Sequence, residues 1–308
     1  MVAPASFAWT LRDVAVAAAD RVYLVAGHDK STKQDIPVSS FMRWTGKWSS
    51  KSFPLNLTSV CVVFEPERNS LMMGVDGTVV RGTAKGFDEE QVDAGHEAPR
   101  NVGDLREIRR IGKRAYVIGM RRMAYRCDGP ARWTRIDQGV RCGVDDTADA
   151  GFNSIHGFGE AEIYAAGWDG EIWKYDGKRW TAVDSPTNLA LFRVVCGGDG
   201  KAYACGQRGT VIAGRDTQWT VIHQDATKDD FYGATWFKNK LYLATAKGLF
   251  SLVGDTIEPI EIKSEKKLKI TAKCFNRLDA SEDAMWSVGL KMAMWTEDGV
   301  NWTELPYS

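Results

Sequence analysis

The sequence predicts an all-β fold, a seven-bladed β-propeller with four antiparallel strands per blade, from three observations. One phrase recurs throughout: an apolar strand, a tight polar turn, a second apolar strand, then Asp-Gly or similar before Trp. The residues closing the second strand of each copy are Gly27, Gly74, Gly119, Gly167, Gly206, Thr245 and Gly289. They span 262 residues in six intervals, a mean of about 44, which is the period of propeller blades. Finally, Trp133, Trp180, Trp219 and Trp302 each follow their anchor by 13 or 14 residues.

Each element follows from alternation and from β-branched or aromatic content. Blade one (11–55) begins at Leu11-Arg12-Asp13-Val14, and an insertion at His28–Ser39 pushes Trp48 further from its anchor. Blade two (56–95) lacks the outer Trp and ends raggedly around Phe87. Blade three (101–140) closes on Asp128-Gly129-Pro130-Ala131-Arg132-Trp133. Blade four (150–186) carries the cleanest copy, Ile163-Tyr164-Ala165-Ala166-Gly167 through Trp180. In blade five (187–226) the strands are expected at 192–196, 202–205, 210–213 and 219–222. Gly197-Gly198-Asp199-Gly200 and Gln207-Arg208-Gly209 supply the positive φ of its turns. Blade six (229–263) has Thr245 for Gly and ends around Ile257–Ile260; blade seven (267–306) ends in a complete outer strand at Asn301-Trp302-Thr303. Each blade therefore reads as contiguous.

Formal charge is zero, with 40 basic and 40 acidic residues, which argues against a dedicated nucleic-acid binder. The first nine residues lack the basic region and apolar run of a signal peptide, and no stretch has the length of a membrane span. The expected protein is cytoplasmic, and monomeric when unbound. The six cysteines contain no C-x-x-C pair; Cys196 and Cys205 are placed to face each other across adjacent strands, as a reduced pair.

From Phe152-Asn153-Ser154-Ile155-His156-Gly157 through Trp180 the chain resembles a bacterial propeller repeat, with Val-Tyr-x-Val-Gly-like and x-Tyr-Asp-Gly-x-x-Trp-like segments. Thr296-Glu297-Asp298-Gly299-Val300-Asn301-Trp302 is similar to the Asp-box of sialidase-type repeats and of photosystem II assembly-factor-like propellers. The full Asp-box spacing is not met. The resemblance covers about five blades and implies the fold; it carries no activity with it.

Asp-Gly turns at Asp76, Asp169 and Asp298 recur at equivalent positions, so turn geometry accounts for them without a metal. The four histidines show no ligand spacing, and His156 is expected to pack or to line the channel. No cofactor, metal or catalytic residue is expected. A glycan-acting enzyme of the sialidase type is the alternative. It would need carboxylates, a Tyr nucleophile and three arginines converging on an axial cavity. An assembly or scaffold factor is a second alternative.

Departures from the repeat point to partner binding. The turns between second and third strands carry Arg121, Arg122, Trp168, Asp169, Arg208, Lys247 and Lys291, and Arg and Trp are enriched at binding hot spots. Two connectors on the same face read as long and acidic: Gly86–Asp104, with Asp88, Glu89, Glu90 and Asp93, and Gly139–Gly151, with Asp145 and Asp146. Together they would form a negative wall for a basic partner; a third connector, Ile262–Leu268, is basic. The expectation is a non-catalytic protein-binding propeller, in its concrete form a bacterial immunity protein that neutralises a toxin domain through this face.

Overall fold

Seven four-stranded antiparallel sheets, each with its strands in sequence order, form a β-propeller in the computed structural model, which describes residues 8–30, 37–143, 150–263 and 274–306. The inner strands are Trp9–Ala18, Leu57–Val63, Leu105–Ile111, Phe152–Gly159, Leu191–Cys196, Gly233–Phe237 and Arg277–Ala280. The described helices are short: Pro99–Val102 is the longest α-helical segment bounded on both sides. Each blade is contiguous, and the last sheet closes on Thr303–Glu304.

The apolar core is divided among the blade interfaces. Seven buried clusters each span two adjacent blades. The outer Trp residues wedge into these clusters; Trp180 packs beneath blade three, its Nε1–H donating to the Ile136 carbonyl at 2.8 Å. In blade two the ragged end resolves into a regular outer strand, Phe87–Gln91, paired residue for residue with Thr78–Gly82. This corrects the expected boundary: Asp88, Glu89 and Glu90 belong to an edge strand, and the connector begins at Val92. Cys196 pairs with Ala202 and Cys205 with Arg193, so the two thiols do not face each other; no disulfide joins any of the six cysteines.

Four anchors, Gly119, Gly167, Gly206 and Gly289, recur as glycine because backbone crowds them. A Cβ on Gly206 would lie 1.9 Å from the Ala190 carbonyl oxygen, and one on Gly167 2.0 Å from that of Gly151. Gly206→Ala is therefore expected to lose roughly 2–3 kcal/mol through forced backbone displacement. Gly159→Ala, where nothing lies within 4 Å, serves as the neutral control. Denaturant unfolding of the two variants checks this, and equal midpoints would refute it.

One feature was invisible in the repeat pattern. In the first five blades the inner strand carries a one-residue bulge at Arg12, Thr58, Arg106, Asn153 and Phe192. The residues that follow, Asp13, Ser59, Glu107, Ser154 and Arg193, fall into one layer around the axis. Four of them accept the backbone N–H of the next blade: Asp13 from Val60 (3.0 Å), Ser59 from Ile108 (3.2 Å), Glu107 from Ile155 (2.8 Å) and Ser154 from Val194 (3.1 Å). Side chains thus stitch the inner strands where no ladder connects them.

Candidate functional site

The turns between second and third strands do share one face, and three of them hold non-glycine residues at left-handed φ. These are Arg121 (58°), Arg122 (55°), Asp169 (52°) and Arg208 (54°). Asp tolerates this region, whereas Arg does so at a cost of about 1 kcal/mol. Most of the expected cation ring is internally bonded. Arg122 Nε donates to Glu171 at 2.7 Å, and its guanidinium lies 5.1 Å over the Trp173 ring. Arg121 Nε donates to the Val102 carbonyl at 2.7 Å. Lys247 pairs with Asp229 (2.7 Å) and Lys291 with Asp29 (2.5 Å). Arg208 differs: it is exposed, and among the described residues only its backbone N–H is bonded, to Asp230 at 2.9 Å. Trp168 is half-buried rather than exposed, edge-on to Phe192 at 6.4 Å, and Phe192 in turn stacks on Tyr232 at 5.4 Å.

The acidic wall is reorganised. Glu90 is buried, accepting from Arg81 at 2.7 Å, so it stabilises blade two instead of presenting charge. Asp88 and Glu89 are exposed on the blade rim. Asp93 is half-buried in a turn, accepting from the Gly95 N–H (2.8 Å) and the Tyr125 hydroxyl (3.3 Å). Asp145 and Asp146 lie outside the described residues.

One concavity is axial, a funnel of about 600 Å³ lined mainly by inner-strand residues. Its mouth, on the face opposite the charged turns, carries Phe64, Arg110, Trp236 and Glu282. Its floor is an ionic plug that sequence reading missed. Arg193 pairs with Glu107 and lies 3.6 Å from Asp13; Arg109 reaches Glu107 at 3.3 Å and Asp279 at 3.6 Å. Burial pushes the Glu107 carboxyl up, but Arg193 and Arg109 outweigh it and hold the group below the ordinary range. Arg277, whose guanidinium donates to the Tyr232 carbonyl at 2.9 Å, is pushed down to about 10 by burial and by Arg193. The signal available was a column of polar residues at one position of otherwise apolar strands.

Three arginines, Arg109, Arg110 and Arg193, do therefore converge on an axial cavity. Asp13, Glu107 and Asp279 interleave with Arg109 and Arg193, however, while Arg110 stacks over Phe64 at 4.7 Å. No tyrosine is among the described lining residues. The plug can hold strands together; it does not offer a nucleophile with a free cation cluster.

His156 lines the funnel as expected, its Nδ1 accepting the Cys196 N–H at 3.1 Å. Burial, then the neighbouring Arg109, push its pKa well below 6.5. The unfolded chain takes up a proton near pH 6.5 that the folded ring refuses, so stability falls as pH drops below that point, by up to about 1.4 kcal/mol per unit. Asp279, raised by burial, acts in the opposite direction at lower pH. Replacing His156 with Gln is expected to flatten the stability profile between pH 6.5 and 5 relative to the parent. Parallel slopes for the two proteins would contradict the assignment.

No family model matches the chain. It is 36% identical over 292 residues to the immune protein Tsi7 of Pseudomonas aeruginosa, covering 93% of this chain and 94% of that protein. Among solved structures it is similar to the WD40 propeller domain of Doa1 (TM-score 0.71, 12% identity, 94% of this chain and 93% of that one). It is also similar to YCF48 bound to a D1 peptide (TM-score 0.67, 14% identity, 98% and 93%). At these identities the two structures speak to the fold alone.

Proposed function

We propose a function from one premise: the chain belongs to the family of the Pseudomonas aeruginosa immune protein Tsi7. It acts as a non-catalytic immunity propeller in the bacterial cytoplasm, binding a toxin domain and blocking it. The observation that carries this reading is the extent of the likeness, which runs through nearly the whole of both chains and so covers every blade. The neutralised axial arginines support a binding role over glycan hydrolysis.

The contact surface follows from which charged groups have no internal task. Arg208 holds a strained turn conformation with no bond for its guanidinium among the described residues, and Asp169, in the equivalent turn of the neighbouring blade, is exposed. These two, with Trp168, form the centre of the proposed surface; the exposed acids Asp88 and Glu89 on the rim of blade two are its proposed outlying contacts. Arg121, Arg122, Lys247 and Lys291 order the turns, and Glu90 and Asp93 support the edge from within.

The test is rescue. Cells poisoned by a candidate toxin, chosen from the genes adjoining this one, should grow when the full chain is co-expressed, and the two proteins should co-purify at 1:1. Arg208→Glu with Asp169→Lys should weaken that complex at least tenfold while leaving the fold intact. Growth arrest despite soluble, folded protein would sink the reading. Undiminished binding by the double variant would move the contact elsewhere.

A further inference from the structure

A second concavity lies between blades one and two, on the side of the turns joining first to second and third to fourth strands. Its volume is about 600 Å³. Four separate turns bring their residues to it: Arg21, Arg43 with Thr45, Arg68 with Glu67, and Gly82–Ala84. The wall is rigid and aromatic. Tyr23 stacks on Phe41 at 5.8 Å, Phe41 meets Phe87 edge-on at 5.7 Å, and Lys51 Nζ sits 4.8 Å over Phe87.

The charge on this groove is unbalanced. Among the described residues, the guanidinium groups of Arg21, Arg43 and Arg68 make no hydrogen bond or ion pair. Glu67 is the one acid among the described lining residues. Elsewhere Arg81, Arg122, Arg193 and Arg215 each sit against a carboxylate. The hydroxyls of buried Tyr23 and Ser70 also belong to residues lining the groove, and neither makes a hydrogen bond to a described residue. Gathering like charges on a concave wall concentrates positive potential there, and guanidinium forks match phosphate oxygens bidentately.

We propose that this groove binds a small molecule carrying two or more adjacent phosphate groups. Its size falls within the range of small-ligand sites. Three cations exceed what one carboxylate side chain would neutralise, and an extended acidic peptide turns alternate side chains away from the surface. An oligophosphate instead places several charges on adjoining oxyanions. The inference is independent of the immunity reading and uses a different part of the surface.

Titration calorimetry of the full chain at low salt, with sodium tripolyphosphate and with ATP as probes, tests it. One-to-one binding is expected, weakening as salt rises. Arg43→Gln and Arg68→Gln, both exposed, should each reduce affinity at least tenfold without altering Tm; Arg179→Gln, far from the groove in blade four, should not. Equal affinity for the two probes assigns the phosphate chain alone. A tenfold preference for ATP that Phe87→Ala abolishes assigns a nucleoside phosphate. Failure of both probes to bind at millimolar concentration overturns the proposal. So would binding unchanged by both variants, or a hexaglutamate peptide outcompeting tripolyphosphate, which would make the groove a protein-docking surface.

Discussion

Arg193→Met is expected to destabilise the propeller by about 3–5 kcal/mol, a fall of roughly 5–8 °C in Tm. The side chain is buried and pairs with Glu107 and Asp13, two carboxylates from different blades. Removing it leaves Asp13, among the described residues, with hydrogen bonds from Ser59 and the Val60 N–H and no ion pair, and leaves Glu107 paired with Arg109. The loss arises from carboxylates left in a dry environment, more than from the missing attraction itself. A pH series separates this from simple loss of packing. In the parent, Glu107 is held below the ordinary range, so its contribution is present above the unfolded pKa and disappears as acid protonates the folded group. Loss of Arg193 removes the strongest of the effects that oppose burial, so the same carboxyl is expected to move upward in the variant, with a penalty largest at neutral pH that shrinks on acidification. The deficit between parent and variant should therefore narrow from pH 7 to pH 4.5. A constant deficit would refute the electrostatic account.

Trp286→Ala is expected to cost about 3–5 kcal/mol, because it empties the centre of the interface between blades seven and one. Trp286 is fully buried, with Trp48 at 6.2 Å and Trp44 at 6.5 Å across the seam. Among the described residues no strand is shared between first and last blades, and the seam is held by such contacts, with Leu11 N–H donating to the Leu290 carbonyl at 3.0 Å and the Val16 N–H to Asp279 at 2.7 Å. The Trp286 indole N–H has no acceptor among the described residues, so Trp286→Phe should lose much less than the Ala variant. Hydrogen exchange is expected to accelerate first in blades one and seven of Trp286→Ala. Uniform acceleration across all blades would show that the seam is not the weak point.

The anchors and outer Trp residues were legible because each repeats a local requirement. A glycine must pass close to a carbonyl, as at Gly206, and an indole must fill a gap between blades, as at Trp180. The candidate surface was legible only in part. Turn residues such as Arg121 and Arg208 stand out from the repeat, but whether a charged tip is free depends on what the neighbouring blade offers it. Lys247 finds Asp229 and Arg122 finds Glu171, whereas Arg208 finds no partner for its guanidinium among the described residues. Asp88 to Glu90 read as a loop because a run of acids hides strand alternation; pairing with the third strand and the buried Arg81 override that composition.

By itself, the sequence determined the all-β class, the seven blades and the residues on which they pack, since these follow from short-range patterns copied about every 44 positions. Only the tertiary structure decided which charges meet. Glu107 and Arg193 are 86 residues apart yet share one layer at the axis, and the arginines of the inter-blade groove come from separate turns of two blades. Closing a ring brings equivalent positions of distant repeats together, and electrostatic pairing depends on that spatial neighbourhood, which no local pattern encodes.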